Sequence, residues 1–363
     1  MRTFRVARIL GVDVIGDSSL VALGLLLSWV MYLELRLPQV GAGPVAAGVG
    51  AIVGGVVFLA SVLAHELSHT AVAQRYGVPV TRIRLMIFGG AAEIDEDAMS
   101  PTTELAVAIV GPLTSAVIGI VLVAVGVVVS GDPAIGGSLR FVGLANLALA
   151  VFNLLPGLPL DGGRVLRALI WRRTQDRDRA TRTALLSGRY AGLVLIGVGI
   201  YLLFRGDLAP MGIWVAFVGW FLTRMAAGSA RRHRLEMAAR GQTLGDAMRP
   251  IHESVRAAST VSNAIEFYQI GPTMRTQVVE AAGRIVGILG QREIDAVDPE
   301  LRDTTEVGVA MTRIGPADVV DVATPLMDAL QRESGATRLI VATDENRVVG
   351  IFGAEELGGL LAR

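Results

Sequence analysis

Six long apolar runs, joined by short polar connections, occupy residues 1–228 and constrain the fold more than any other feature. A helix crosses the hydrocarbon core of a bilayer with about 17–25 apolar residues. Arginines at the ends of the two shortest runs can extend them by reaching the interface. The pattern therefore predicts an α-helical polytopic membrane domain with six transmembrane helices. The uncharged cores of the runs are Ser18–Leu33, Gly41–Ala64, Leu105–Gly131, Phe141–Leu160, Tyr190–Phe204 and Leu208–Thr223.

The orientation of these helices depends on arginine, because the chain contains no lysine. Arginines are concentrated in the N-terminal segment, in the connections after the second and fourth runs, and after the sixth run. The connections on the other side carry only Arg36, Arg140 and Arg205. Positively charged connections stay in the cytoplasm. This predicts a multi-pass protein of the cell membrane with both termini cytoplasmic.

The second run leads without a break into His65-Glu66-Leu67-Ser68-His69, an H-E-x-x-H motif. Residues four apart on a helix share a face, so both imidazoles can bind one metal ion. Glu66 lies beside them and can act as a base. Ionisable side chains that follow 24 uncharged residues are unfavourable in a bilayer and indicate a functional site. Without a third ligand, two core histidines bonded to backbone carbonyls remain an alternative.

A third protein ligand has to be an aspartate or a glutamate. The chain has no cysteine, and its two other histidines lie in the polar C-terminal third. Asp161 is the first candidate because it follows 20 uncharged residues at positions 141–160, and zinc accepts carboxylate oxygens. Asp161 could instead cap the helix that begins near Arg164. Glu104, at the start of the third run, is a second candidate ligand.

A β-hairpin is predicted between the second and third runs. Residues 80–88 alternate like a strand before Gly89-Gly90, and Ala91–Ile94 can return as the partner strand. The edge of such a hairpin could take up an extended peptide by adding a strand. The other interpretation is a connector that rests on the membrane surface.

The fourth run ends in an irregular segment that reads Asn153-x-x-Pro156-x-x-Pro159-Leu160-Asp161-Gly162. Its prolines predict that the helix is broken here. The pairing of this segment with H-E-x-x-H resembles the site-2 protease family of intramembrane zinc metalloproteases. The resemblance covers roughly residues 15–175.

The resemblance implies one zinc ion per chain, bound by His65, His69 and Asp161, with Glu66 as the catalytic acid/base. It also implies that Asn153 positions the substrate or polarises its carbonyl group. The substrates would be transmembrane or membrane-anchored proteins, such as anti-sigma factors. Gly89-Gly90 and Gly111-Pro112 lie where this family tends to have a glycine-rich hairpin and a Gly-Pro pair in the third span.

After a basic linker at residues 229–242, the composition becomes that of a soluble α/β domain with an internal repeat of 63 residues. Arg284–Gly290, for example, recurs as Arg347–Gly353. The repeat resembles a tandem CBS pair, at about residues 243–303 and 304–363, a module that commonly binds adenine nucleotides. In that family a hydroxyl residue and an aspartate contact the nucleotide. Here those places hold Gly290 with Glu293, and Gly353 with Glu356. Two roles of the pair therefore remain alternatives: binding of an adenine nucleotide, and a structural role such as homodimerisation.

The formal net charge is zero, so no basic field indicates a nucleic-acid partner. The sequence predicts an intramembrane zinc endopeptidase that lies in the lipid bilayer and has a regulatory or dimerising CBS pair. The alternative is a CBS-regulated ion channel or transporter with a metal site that does no hydrolysis. Glu66 separates the two, because a transport site needs no base beside its ligands.

Overall fold

The computed structural model of the chain divides into two units, Met1–Ala230 and Arg231–Arg363. We describe each unit by itself. The residues that the structure describes are 3–86, 89–95, 98–251, 254–268, 276–315, 318–331, 340–344 and 347–362.

The first unit is built from long helices and one small sheet. In the described part of the chain, six helical segments are long and apolar enough to cross a membrane, which confirms the predicted six-span domain. The helices of this unit are α1 (Ser18–Leu35), α2 (Pro44–Arg75), α3 (Pro101–Val128), α4 (Pro133–Asn153), α5 (Asp161–Thr174), α6 (Arg177–Leu203) and α7 (Ala209–Ala239). The shorter, amphipathic α5 is not one of the spans; α7, preceded by one 3-10 turn, is the sixth.

The sheet has four strands: β1 (Thr3–Ile9), β2 (Val12–Asp17), β3 (Val80–Met86) and β4 (Gly89–Ile94). Their order is β1-β2-β3-β4, with antiparallel outer pairs and a parallel central pair. The predicted hairpin is therefore present, although its positions 87 and 88 lie outside the described residues. The N-terminal strands β1 and β2, which we did not predict, extend it to a sheet.

One face of the sheet packs on the motif-bearing part of α2. Val12 and Val14 of β2 and Ile83 and Leu85 of β3 are almost fully buried, in one cluster with Val62. Burial of alternate residues is the pattern of a strand with one covered face. The sheet is thereby held beside the helical turns that carry the H-E-x-x-H motif.

The break after the fourth span is present as predicted. Helix α4 ends at Asn153, residues 154–160 are not helical, and α5 begins at Asp161. Two hydrogen bonds hold the irregular segment against α6: Leu158 N–H donates to Ala184 O at 3.2 Å, and the Ser187 hydroxyl donates to Pro156 O. These bonds fix the position from which α5 starts.

The second unit contains two copies of a small α/β repeat. Its helices are α8 (Leu244–Ala247), α9 (Val261–Tyr268), α10 (Gln291–Asp295), α11 (Val307–Ala310), α12 (Leu326–Gln331) and α13 (Ala354–Ala362). Its strands are β5 (Arg249–Pro250), β6 (Ser254–Arg256), β7 (Gln277–Ala281), β8 (Arg284–Leu289), β9 (Thr312–Arg313), β10 (Val319–Asp321), β11 (Ile340–Asp344) and β12 (Arg347–Phe352).

The two repeats exchange a strand. One sheet has the order β6-β7-β8-β9 and the other β10-β11-β12-β5, so each repeat lends its first strand to the sheet of the other. The hairpins β7-β8 and β11-β12 are separated by the predicted 63 residues. This is the duplicated α/β arrangement that the resemblance to a tandem CBS pair implied. Residues 229–242, predicted as a linker, are helical as far as Ala239, because α7 continues through them.

Candidate metal centre

The H-E-x-x-H motif lies on α2 as predicted, and its three ionisable side chains are buried. His65, Glu66 and His69 are 3%, 6% and 4% exposed. The four-residue helical spacing places the two imidazoles on one face of the helix, edge to face at 79°. Their ring centroids are 4.8 Å apart, and the two Nε2 atoms are 3.2 Å apart.

Asp161 joins both histidines. Its Oδ2 lies 3.3 Å from His65 Nε2 and 3.5 Å from His69 Nε2. Among the described residues, these three form the group of His, Asp and Glu side chains whose ligand atoms are close enough to share a metal ion. The alternative role of Asp161 as a helix cap is not what the structure has, because Leu160 is the N-cap and Asp161 lies in the first turn.

The other ring nitrogens are held by α3. His69 Nδ1 donates to the backbone carbonyl of Val107 at 2.6 Å, and His65 Nδ1 is 2.9 Å from the Ser115 hydroxyl. A carbonyl only accepts, so Nδ1 of His69 carries a proton, and in the neutral imidazole Nε2 is then the nitrogen that can bind a metal ion. Metal-binding histidines are usually oriented in this way by a second group. Two nitrogens and one carboxylate oxygen without cysteine are also a donor set that zinc accepts. The residues present fit a zinc ion.

Two glycines leave room for these side chains. A Cβ at Gly111 of α3 would lie 2.7 Å from His65 Nε2 and still closer to the ring of His69. A Cβ at Gly90 of β4 would lie 2.8 Å from Glu66 Oε1. Real Cβ atoms do not approach so closely, so a side chain at either position would displace the groups of the centre.

Glu104, the second candidate ligand, lies outside the group and pairs with Arg167 of α5. Its Oε1 is 2.5 Å from both Nε and one terminal nitrogen of Arg167, and the two residues are only 1% and 7% exposed. The pair joins α3 to α5, the helix that begins with Asp161. The sequence analysis did not find this pair, because its partners are 63 residues apart and neither belongs to a motif.

One face of α3 is devoted to the centre. Four buried residues recur on this face at helical spacing: Glu104, Val107, Gly111 and Ser115. They bind α5, orient His69, leave space for both rings and contact His65. The contact of Ser115 was not predicted either. The signal in the sequence was a hydroxyl residue one helical turn after Gly111, on the same face of the helix.

Asn153 is at the level of the centre. Helices α2 and α4 run parallel, since Gly50 lies against Ser138 and Gly54 against Val142. Both pairs have an offset of 88 residues, and the same offset continued along the two helices gives Asn153 about the same depth as His65. Asn153 is half-buried and is the last residue of α4. Its role in catalysis stays a prediction.

Comparison with known proteins identifies the family. The family model described as Peptidase family M50 matches residues 53–138 and 132–196. Rip3 of Mycobacterium tuberculosis is 34% identical over 314 residues, which cover 85% of this chain and 80% of Rip3. The chain belongs to peptidase family M50.

Two further proteins are similar to this chain. The zinc metalloprotease MJ0392 of Methanocaldococcus jannaschii is 28% identical over 306 residues, 83% of each chain. The solved structure of the site-2 protease from the same organism is 28% identical, with a TM-score of 0.41, and covers 62% of this chain and 94% of that one. The family membership and the six apolar helices make this M50 protein a multi-pass membrane metallopeptidase, and its relatives are named as zinc metalloproteases.

We expect Gly111→Ala to lower the zinc content of the purified protein, because the added methyl group collides with both imidazoles. Zinc per chain, measured by mass spectrometry of the metal, gives the result. Gly48→Ala, on α2 where no atom lies within 4 Å of an added Cβ, is the matched control and should retain zinc. Equal zinc in both variants would contradict the proposed crowding.

We expect Glu104→Gln to destabilise the membrane unit, because it removes the carboxylate charge that lies 2.5 Å from the buried guanidinium of Arg167. Such a loss costs about 3–5 kcal/mol. The control is Glu236→Gln, which removes the partner of Arg232 in an exposed pair at 2.8 Å, where about 0–1 kcal/mol is expected. Thermal unfolding of the full chain in detergent compares the two. A similar melting temperature for both variants would show that the buried pair is dispensable.

Proposed function

We propose that this M50 protein is an intramembrane endopeptidase that cleaves transmembrane or membrane-anchored proteins. In this proposal His65, His69 and Asp161 hold the zinc ion. The observation that carries it is the convergence of two imidazole nitrogens and one carboxylate oxygen from α2 and α5, each within 3.5 Å of the others. A buried carboxyl group, Glu66, lies beside them.

Glu66 is the proposed acid/base. When bound, zinc would act as a Lewis acid that polarises the scissile carbonyl and promotes the ionisation of water. The Glu66 carboxylate takes a proton from the attacking water as the oxygen of that water bonds to the carbonyl carbon. It then gives that proton to the amide nitrogen as the C–N bond breaks. Its packing against Gly90 of β4 limits the carboxylate to one side of the centre.

Asn153 is proposed to bind the carbonyl oxygen of the substrate. Its side-chain amide can donate a hydrogen bond to an oxygen on which negative charge develops. Its depth along the helices, about the same as that of His65, supports this role. It is also the last residue before the irregular segment 154–160, which leads to Asp161.

The substrate is proposed to bind as an added strand on β4. A transmembrane helix hides its peptide bonds in internal hydrogen bonds, so cleavage requires an unwound stretch. β4 is an edge strand of the sheet, and its Gly90 abuts Glu66. An extended segment paired with this edge would satisfy its backbone groups close to the proposed base.

The second unit is proposed to act as a regulatory or dimerising module rather than as a nucleotide receptor. Glu293 accepts hydrogen bonds from Gly290 N–H at 3.0 Å and the Thr312 hydroxyl at 2.8 Å. Glu356 likewise accepts from Gly353 N–H and pairs with Arg249. Both acids thus cap their own chain at the places where the CBS family contacts a nucleotide. We also propose that this unit and both termini are cytoplasmic, and that anti-sigma factors are among the substrates.

We expect Glu66→Gln to retain zinc and to lose cleavage by roughly 10²–10⁴-fold, the usual contribution of a general acid/base. The assay uses a single-span model substrate with a Gly-Pro pair near the cytoplasmic end of its helix. Asp161→Ala is the companion variant and should lose zinc as well as cleavage. Full cleavage by Glu66→Gln would remove Glu66 from the mechanism. A wild-type chain that holds zinc and cleaves no substrate would instead favour a transporter, the alternative predicted from the sequence.

We expect the substrate to cross-link to β4 and not to β1, the opposite edge of the sheet. A photoreactive residue replaces Glu93, which is exposed on β4, in a Glu66→Gln chain that retains substrate. The same residue at Arg5 of β1, also exposed, is the control. The adduct with the model substrate is counted on a gel. Equal adduct at both positions, or none at position 93, would exclude strand addition at β4.

A further inference from the structure

The strand β1 has an apolar face that the helices do not cover. Phe4 and Val6 are 43% and 47% exposed, whereas Val12 and Val14 of the neighbouring strand are 3% and 0% exposed. The sheet is therefore well covered at β2 and uncovered at its β1 edge. Large apolar side chains exposed together in this way indicate a surface that binds another apolar phase.

Phe4 and Val6 point to the same side as the buried valines. A Cβ at Gly16 of β2 would lie 2.9 Å from the Phe4 ring and 3.1 Å from Val6 Cγ2. Gly16 lies two residues after Val14 and four after Val12, so it is on the same face of the strand, the face that packs on α2. The exposed apolar side chains thus project toward the side of the sheet on which the membrane helices lie.

The other side of the same strands is polar. Arg5 forms an ion pair with Asp13 at 2.8 Å, and Arg8 donates to Gly11 O at the turn of the hairpin. On β3 and β4, Arg82 pairs with Glu93 on this side. The hairpin β1-β2 is accordingly amphipathic, with charges on one face and apolar side chains on the other.

The depth of the hairpin follows from the helices that flank it. Helices α1 and α2 are antiparallel, since Ser28 lies against Gly55 and Leu35 against Gly50. This register places Ser18, the first residue of α1, at the level of Glu66 on α2. At 1.5 Å per residue, the stretch of α2 from Pro44 to the motif spans about 30 Å, the thickness of the hydrocarbon core.

The two ends of the hairpin therefore lie at different depths. Phe4 pairs with Gly16, two residues before Ser18, so the start of β1 is at the boundary of the hydrocarbon. The turn lies further out, because Gln74 near the end of α2 donates to Leu10 O at 3.0 Å.

We propose that β1 rests in the bilayer interface, with Phe4 and Val6 inserted among the lipid chains and Arg5 facing the aqueous phase. The occupant of this face is lipid because the face is apolar and exposed and lies at the level of the membrane boundary. The contact also sets the depth of the whole sheet. Its opposite edge, β4, is thereby kept at the level of Glu66.

The absence of cysteine from the chain makes a direct test simple. Single cysteines replace Phe4, Val6, Arg5 or Arg8 in the full-length protein, which is labelled with an environment-sensitive fluorophore and reconstituted in phosphatidylcholine vesicles. We expect labels at positions 4 and 6 to show a blue-shifted emission that is quenched by nitroxide lipids and not by aqueous iodide. Labels at positions 5 and 8 should show the reverse.

Two results would overturn the proposal. Iodide quenching at positions 4 and 6 equal to that at position 5 would place this face in water. Protection of both positions from lipid nitroxide and from iodide, with a disulfide between copies after oxidation of unlabelled Phe4→Cys, would assign the face to a second chain. Because Val6 is half exposed, Val6→Cys provides an independent reading if Phe4→Cys does not fold. Retention of zinc by each variant shows that the membrane unit is intact.

Discussion

Three electron-rich atoms face one another in a buried place, and most of the membrane unit serves to keep them there. The Nε2 atoms of His65 and His69 and Oδ2 of Asp161 are 3.2–3.5 Å apart. Such atoms repel unless a metal ion or a proton lies between them, and an unpaired charge is costly where water is scarce. Neighbouring helices therefore have to supply the forces that hold the ligands together before the ion arrives.

Those forces come from different parts of the chain. Helix α3 holds both imidazoles through Val107 and Ser115 and anchors α5 through the Glu104–Arg167 pair. The irregular segment before α5 is held against α6 by one backbone hydrogen bond and by the Ser187 hydroxyl. Loss of any one of these contacts should weaken the same quantity, the free energy of metal binding. In a family M50 protein, this preorganisation is as important as the ligands themselves.

The grouping of His65, His69 and Asp161 and the six spans could be predicted because their signals are local or compositional. The spacing of His65 and His69, an acid after 20 uncharged residues, and the length of the apolar runs each follow from the sequence alone. The Glu104–Arg167 pair and the Ser115 contact depend on tertiary packing, for which a single sequence has no marker. Strands β1 and β2 were missed for a related reason: β2 pairs in parallel with β3, a partner more than 60 residues away.

The exchange of β5 and β9 makes the second unit indivisible. Each repeat lacks a complete sheet when its sister is absent, because its outer strand is contributed by the other half. Deletion of one half would leave an open β edge on the remaining half, and open edges promote aggregation. A perturbation at one repeat has a covalent and hydrogen-bonded route into its sister. We therefore expect the two repeats to fold as one cooperative unit and not as two independent domains.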